Sequence, residues 1–167
     1  SLDDEHFGGR LSDCMYTVSY RMQGGTIKIP AGTFSIHEHI DIGGDTTLKG
    51  SGRRRTVIRS YVNAEGGIFY FNGGNTTLRD FTIQATAEYG GPLLNMNVDD
   101  VLVENIDFTD IESEHPVIIR STQAKIRNCR FTGTGPDAFI SVTGYDSSQR
   151  IVIEDCTLTG SGAAYSP

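Results

Sequence analysis

Residues 99–110 read DDVLVENIDFTD, and the order of apolar and polar residues in this segment indicates the fold. Val101 and Val103 alternate with polar residues, as in a strand with one buried face, and Ile106 and Phe108 do the same after Asn105. The apolar phase slips by one residue at the asparagine, so a single straight strand does not fit the pattern. Two short strands that meet at a sharp corner do fit, because asparagine tolerates the left-handed backbone conformation better than most residues.

The same six-residue pattern of apolar, charged, Asn or Asp, apolar, polar, apolar occurs four times. The copies begin at Leu78, Val103, Ile126 and Ile153, at intervals of 23 to 27 residues. A degenerate copy, Leu48-Lys49-Gly50, comes 30 residues before Leu78 and has glycine at the predicted corner. A repeat of this length in short strands is typical of a solenoid, in which no single coil buries its apolar face alone.

A further short strand precedes each copy of the repeat. Its signature is a pair of alternating apolar residues: Phe69/Phe71, Leu94/Met96, Val117/Ile119 and Ile140/Val142. Three strands per coil allow each strand to pair with its equivalents in the coils above and below, at a spacing of about 4.8 Å. The sequence therefore predicts stacked coils, with the Asn and Asp corners aligned in a column.

Composition narrows the classes of function. The 167 residues carry a formal net charge of −7, which argues against a general nucleic-acid binder. No apolar run reaches the roughly 20 residues that a membrane span requires. Three cysteines lack metal-site spacing, and we predict no metal or cofactor. Cys129 and Cys156 share one repeat position, so we expect them to stack in the core as reduced thiols; a disulfide is the less favoured alternative.

Only Leu11–Gln23 has helical spacing. Its apolar residues fall on one stripe, with Ser12 as a plausible N-cap and Gly24 as a stop. The stripe comprises Leu11, Met15, Val18 and Met22. We expect this helix to cover the exposed end of the first coil. Residues 1–25 are thus predicted to form a capping segment, and residues 26–167 the solenoid.

Residues 24–58, GGTIKIPAGTFSIHEHIDIGGDTTLKGSGRRRTVI, resemble the opening coil of a known superfamily. It is the right-handed parallel β-helix, or pectin-lyase-like, superfamily, which includes polysaccharide lyases, mannuronan epimerases and phage tailspikes. Thr47–Gly52 is similar to that family's following turn. The resemblance covers nearly the whole chain at the level of fold. It implies an all-β, right-handed, single-stranded parallel β-helix of about five coils with a short N-terminal capping helix.

The C-terminal end departs from the family pattern, because SGAAYSP after Gly160 does not resemble a cap. A last coil without a cap would expose strand edges and apolar residues. We expect a further chain segment or another subunit to cover that end, and we favour a fragment of a longer protein.

The resemblance also implies a place for a ligand. Substrates in this superfamily usually lie along the outward face of the first strand of each coil and the loops entering it. The candidate substrate-binding residues on that face are Tyr70, Asn95, Asn97, Arg120, Ser141 and Thr143. Such side chains hydrogen-bond sugar hydroxyls, and a tyrosine stacks on a pyranose ring. The alternative is that solvent-facing strand positions are polar in any case.

The densest cluster of ionisable groups lies in DIESEHPV, residues 110–117. The candidate catalytic residues are Glu112, Glu114, His115 and, in the matching loop one coil later, Asp137. Glycoside hydrolysis needs two carboxyl groups that flank the bond, and histidine titrates near neutral pH. The catalytic motifs of polygalacturonases and alginate epimerases are missing. An acidic, solvated loop is therefore the simpler interpretation.

Other charged clusters are interpreted as surface features. Asp99-Asp100 supplies too few oxygens for calcium, and Gly52–Arg55 fits a solvated turn better than a site for an acidic sugar or phosphate. His37 and His39 are predicted to lie on the surface.

Two functions of different class follow from these observations. The first is a noncatalytic, carbohydrate-recognising or structural β-helix segment of a surface, adhesion or phage tailspike-type protein. It would bind a polysaccharide or glycan outside the cell or on a virion. The alternative is a lyase, hydrolase or epimerase that acts on an acidic glycan, with Arg120 neutralising a uronate carboxylate.

Overall fold

The computed structural model describes residues 7–62, 67–85, 91–113, 115–134, 138–143 and 150–160. Helix α1, Phe7–Tyr16, continues into a π-helical turn, Thr17–Arg21. The described strands are β1 Gly25–Lys28, β2 Gly32–Ile36, β3 Ile40–Ile42, β4 Thr46–Lys49, β5 Thr56–Ser60, β6 Phe69–Phe71, β7 Thr76–Ala85, β8 Leu94–Met96, β9 Val101–Ile111, β10 Val117–Ile119, β11 Gln123–Arg127, β12 Arg130–Gly133, β13 Ile140–Val142, β14 Arg150–Glu154 and β15 Thr157–Gly160.

Every described strand pairing is parallel, and the strands form two sheets. Five short strands stack in the order β3-β6-β8-β10-β13, and ten strands form the second sheet. One turn of the solenoid is called a rung here. Rung 1 holds β1–β3, rung 2 β4–β6, rung 3 β7 and β8, rung 4 β9 and β10, and rung 5 β11–β13. The predicted β-solenoid of about five turns is confirmed.

The predicted corners are confirmed by the backbone. The corner residues all have positive φ: Asp80 at 66°, Asn105 at 54°, Asn128 at 50° and Asp155 at 54°. In rungs 3 and 4, where no break separates the two halves of β7 and β9, the Asn105 amide donates to Asp80 Oδ1 at 2.6 Å. The corner side chains therefore both permit the turn and link adjacent rungs.

Gly50 differs from the predicted corner. Its φ is not positive, and the reason for a glycine there is close packing. A Cβ at Gly50 would lie 2.3 Å from the Asp80 carbonyl oxygen and 2.7 Å from Phe81 Cβ. The interpretation of Gly50 as a left-handed hinge is wrong, although the strand before it was placed correctly.

A second corner column precedes β4, β7 and β9. Asp45, Asn75 and Asp100 have φ of 54°, 54° and 59°. The Asn75 amide donates to Asp45 Oδ1 at 2.7 Å, and Gln123 donates to Asp100. The matching segments GGDTT, residues 43–47, and GGNTT, residues 73–77, carried this signal in the sequence.

The inward positions of all five rungs form one continuous apolar core. Phe108 and Phe131 stack at 4.5 Å between ring centroids across rungs 4 and 5. From α1, Leu11 and Met15 are buried in this core, and the helix packs on β2 and β3. The rest of the predicted helix differs, since Met22 is 64% exposed and the helix already includes residues before Ser12, which is therefore not its N-cap.

The side chain of Arg53, in the segment between β4 and β5, contacts more distant rungs. Arg53 Nη1 lies 3.2 Å from Asp107 Oδ1 in rung 4, and Nη2 donates to the Asn128 carbonyl in rung 5. The Asp107 side chain is only 8% exposed. Interpreting Gly52–Arg55 as a solvated turn is therefore wrong for Arg53, although Arg54 and Arg55 are exposed.

Candidate functional site

The outward surface of the five-stranded sheet, called the β3–β13 face here, holds the predicted binding residues. Parallel pairing in register stacks the middle residues of the strands in a central column: Asp41, Tyr70, Asn95, Ile118 and Ser141. An edge column follows directly after the strands, with Asn72, Asn97, Arg120 and Thr143. Alternation along a strand puts both columns on the same side of the sheet.

Two side-chain hydrogen bonds connect the columns diagonally. The Asn97 amide donates to the Tyr70 hydroxyl at 2.9 Å, and Arg120 Nη1 donates to Asn95 Oδ1 at 3.0 Å. In each case a residue of the edge column reaches back to the central column of the preceding rung. These two bonds therefore fix the orientation of the Asn97 amide and of the Arg120 guanidinium on this face.

The predicted binding residues differ in their access to solvent. Tyr70 is half-buried, whereas Asn97, Arg120 and Thr143 are exposed. Asn95 and Ser141 are only 4% and 8% exposed, which sequence alternation alone did not indicate. Direct access from solvent is thus concentrated in Tyr70 and the edge column.

The predicted binding residues did not include the first rung of this face. Asp41 pairs in register with Tyr70, and His39 Nε2 lies 3.9 Å from the Asp41 carboxylate. Both side chains are more than half exposed, as was predicted for His39. The alternation of Ile40 and Ile42 in HEHIDI was the signal that extends the central column to Asp41.

The predicted catalytic cluster is described only in part. Glu112 is exposed, and His115 is half-buried with an Nδ1 that is buried and has no hydrogen-bond partner among the described residues. Glu114 and Asp137 lie outside the described residues. The pairing of two carboxyl groups across this loop therefore stays a prediction.

Comparison with known proteins gives one match. The family model described as right-handed beta helix region matches residues 39–165, about three quarters of the chain. The chain belongs to the right-handed β-helix family. Neither the comparison with curated proteins nor the comparison with solved structures gives a match. The family model covers the whole β3–β13 face of this β-helix.

Asp99 and Asp100, the adjacent carboxylates of this β-helix, are hydrogen-bonded to residues of the next rung. Asp99 Oδ1 accepts hydrogen bonds from the Thr122 hydroxyl at 2.9 Å, from its backbone N–H at 2.7 Å and from the Gln123 N–H at 3.1 Å. These bonds, the Thr122 hydroxyl first, lower the pKa of Asp99. Their stabilisation is present at neutral pH and is lost as pH falls through the folded-state pKa. In the described ranges, no three His, Cys, Asp or Glu side chains cluster as metal ligands would.

Membrane insertion through a helix has no candidate among the described residues, because neither helical segment is long and apolar enough to span a bilayer.

Two clefts lie on the ten-stranded sheet of this β-helix, away from the β3–β13 face. One, of about 500 Å³, runs over the outer surface of β7, β9, β11 and β14. The other, of about 570 Å³, lies where β1 and β4 end. Neither cleft was predictable from local sequence patterns, because each is formed by residues far apart in the chain.

The thiol of Cys129, in rung 5, and that of Cys156, between β14 and β15, are neighbours. Cys129 is buried and Cys156 is half-buried, and both are free. Hydrogen bonding between them is the main cause of opposite pKa changes. As acceptor, Cys156 has its pKa lowered to about 7, whereas hydrogen bonding and burial raise the pKa of Cys129.

Cys156 is therefore expected to react with iodoacetamide near neutral pH while Cys129 does not, because only the thiolate attacks. The rate of Cys156 alkylation, followed by mass spectrometry of its peptide, should reach half of its maximum near pH 7. In a Cys129→Ala variant the hydrogen-bond donor is lost, and this midpoint should rise towards the ordinary thiol value. An unchanged midpoint in that variant would contradict the assignment.

Proposed function

We propose that this β-helix is a noncatalytic carbohydrate-binding segment whose β3–β13 face binds an acidic polysaccharide. The observation that carries the proposal is the pair of hydrogen bonds that orient Asn97 on Tyr70 and Arg120 on Asn95. Side chains held in place before binding lose less conformational entropy when a ligand arrives, so more of the contact energy appears as affinity.

Each residue of the face has a distinct role in the proposal. Tyr70 offers an aromatic surface to a sugar ring, and Asn97 keeps its carbonyl oxygen as an acceptor for a hydroxyl. Arg120 uses one Nη1 hydrogen bond on Asn95, which leaves further guanidinium donors for a uronate carboxylate. Asn95 is buried, and its role is to orient Arg120. Thr143 extends the exposed polar surface into rung 5, and the buried Ser141 contributes little to it.

The arrangement favours a polymer that lies along the solenoid axis. Tyr70, Asn97 and Arg120 come from rungs 2, 3 and 4, so one ligand that contacts all three crosses the strands. The two ends of the face differ in charge, because the acidic Asp41 lies in rung 1 and the basic Arg120 lies in rung 4. The acidic groups of the ligand belong near Arg120, and its neutral part near Tyr70.

The wider role in this proposal is that of a surface, adhesion or tailspike-type protein outside the cell or on a virion, and it rests on the fold. The enzymatic alternative rests on His115 Nδ1, which is buried without a hydrogen-bond partner among the described residues, and on the exposed Glu112 three positions earlier in the chain. It requires Glu114 or Asp137 as a second acid. One assay separates the two, because only an enzyme shortens the polymer.

The test is retention of the protein on immobilised acidic and neutral polysaccharides, with product length followed in parallel. Tyr70→Ala is expected to weaken binding to both types of polymer by about tenfold, from the loss of roughly 1.4 kcal/mol of stacking. Arg120→Gln is expected to weaken binding about tenfold for acidic polymers alone, because it removes a charged donor.

Arg130→Gln is the matched control, since Arg130 is an exposed arginine on the ten-stranded sheet and its loss changes the net charge equally. Binding that survives both Tyr70→Ala and Arg120→Gln would contradict the assignment to the β3–β13 face. Shortened products that disappear in His115→Ala would replace the noncatalytic proposal with the enzymatic one.

A further inference from the structure

The cleft at the ends of β1 and β4 is lined by positive charge. Lys28 and Lys49 are register partners in adjacent strands, and Arg55 approaches from the following turn. Lys28 and Arg55 are exposed and Lys49 is half-buried. The backbone of Gly50–Gly52 forms the floor. These residues are called the lysine cleft below.

Stacking two like charges in register costs stability, and Lys28 and Lys49 are such a pair. The column of outward residues that contains them has a third positive charge at Arg79, and from there through the later rungs the sign alternates: Arg79, Glu104, Arg127 and Glu154. In those rungs the charges are paired, with Arg79 and Arg127 3.0 and 2.6 Å from Glu104. Among the described residues, Lys28, Lys49 and Arg55 form no direct ion pair.

Asp80 is the acidic residue that lines the cleft, and its oxygens are already occupied. Oδ1 accepts from the Asn105 amide at 2.6 Å and Oδ2 accepts from Arg79 Nε at 2.8 Å. Burial by itself would raise the pKa of Asp80, but these hydrogen bonds and the charges of Arg79 and Lys49 lower it. One carboxylate, already engaged with Arg79, thus faces three positive side chains.

The floor of the cleft offers few further donors. The backbone N–H groups of Gly50, Ser51 and Gly52 donate to the Arg79 carbonyl, the Thr56 hydroxyl and the Asp80 carbonyl. The Ser51 hydroxyl donates to the Ile29 carbonyl at 3.1 Å. Recognition therefore depends on two ammonium groups and one guanidinium fork, which suits an oxyanion that carries more than one negative charge.

We propose that the lysine cleft is a binding site for a divalent tetrahedral oxyanion, a phosphate or sulfate group. The ligand neutralises the stacked lysines and bridges the first two rungs, and Arg55 closes over it from the turn. The cleft has room, at about 570 Å³, for a group that is free or attached to a sugar. It lies on the ten-stranded sheet, so the proposal does not rest on glycan binding by the β3–β13 face.

The first probe is inorganic phosphate, added to isotope-labelled protein at constant ionic strength while the backbone amide signals are recorded. Constant ionic strength separates binding from general screening. We expect saturable shifts of the signals from Lys28, Lys49 and Arg55. The double variant K28Q/K49Q should bind at least tenfold more weakly, and it should fold normally because it relieves a like-charge contact.

The double variant K125Q/R130Q is the matched control, since it removes two positive charges from other parts of the same sheet and should leave phosphate binding unchanged. A second arm uses a sulfated polysaccharide and a carboxylated one. Tighter binding of the sulfated polymer that is lost in K28Q/K49Q assigns a polymer-borne group, whereas saturable binding of phosphate alone assigns the free anion. Linear, non-saturating shifts, or equal weakening in the two double variants, would overturn the proposal.

Discussion

Replacing Asp107 with alanine is expected to lower the free energy of unfolding by about 3 kcal/mol. The Asp107 side chain is 8% exposed and that of Arg53 is 21% exposed, so the variant leaves a largely buried guanidinium without its counter-charge. Among the described residues, Arg53 Nε is buried without a hydrogen-bond partner, and Asp107 is the only carboxylate that forms an ion pair with Arg53. Urea denaturation followed by circular dichroism measures the loss.

The control for this prediction replaces both charges. An Arg53→Met/Asp107→Ala variant removes the pair and leaves no unpaired charge, so it should cost much less than the sum of the two single substitutions. The single variant Arg53→Met should lower the free energy of unfolding as much as Asp107→Ala does, because it leaves the buried Asp107 carboxylate without its counter-charge. Additive losses would show that Arg53 and Asp107 are not energetically coupled.

Replacing Phe131 with alanine is expected to cost about 4 kcal/mol, because a fully buried aromatic side chain leaves a cavity that its neighbours fill only in part. Phe131 is 0% exposed and lies between Phe108, at 4.5 Å, and Phe139, at 6.1 Å, measured between ring centroids. It is thus the centre of an aromatic stack that connects rung 4 to rung 5. The denaturation midpoint in urea measures the effect.

The neighbouring residue provides the matched control. Arg130 is exposed, and its side chain points away from the core on the same strand, so Arg130→Ala should change the stability by less than about 0.5 kcal/mol. Phe131→Leu keeps most of the apolar volume and should fall between the two. A loss below 1 kcal/mol for Phe131→Ala would contradict the packing described for rungs 4 and 5.

Local patterns explain why the fold was predictable. The alternation of Val101 and Val103 fixes which side chains face inward, and the left-handed preference of Asn105 fixes the corner. Both effects act over a few residues, so they can be predicted without knowledge of the tertiary structure. The role of Gly50 could not be predicted in this way, because the atoms that exclude a Cβ there belong to Asp80 and Phe81 in the next rung.

For the candidate site, the sequence likewise predicted which strand positions face outward but not how their side chains interact. Strand alternation placed Tyr70 and Asn95 in one column and Arg120 in the other, as the structure shows. The diagonal hydrogen bonds and the burial of Asn95 depend on side-chain rotamers and on neighbouring coils, which a linear pattern does not encode. The lysine cleft was missed for a related reason, since Lys28 and Lys49 become neighbours only through the strand register.

The contacts of Arg53 affect the order in which the rungs of this solenoid unfold. Stacked repeats that touch only their immediate neighbours can be lost from an end one at a time. Arg53 starts in rung 2, passes over rung 3 and holds rungs 4 and 5 through Asp107 and Asn128. Rung 5 therefore cannot detach without breaking a contact three levels away. Under a pulling force, we therefore expect detachment of rung 5 to require rupture of the Arg53 contacts as well as of the contacts between adjacent rungs.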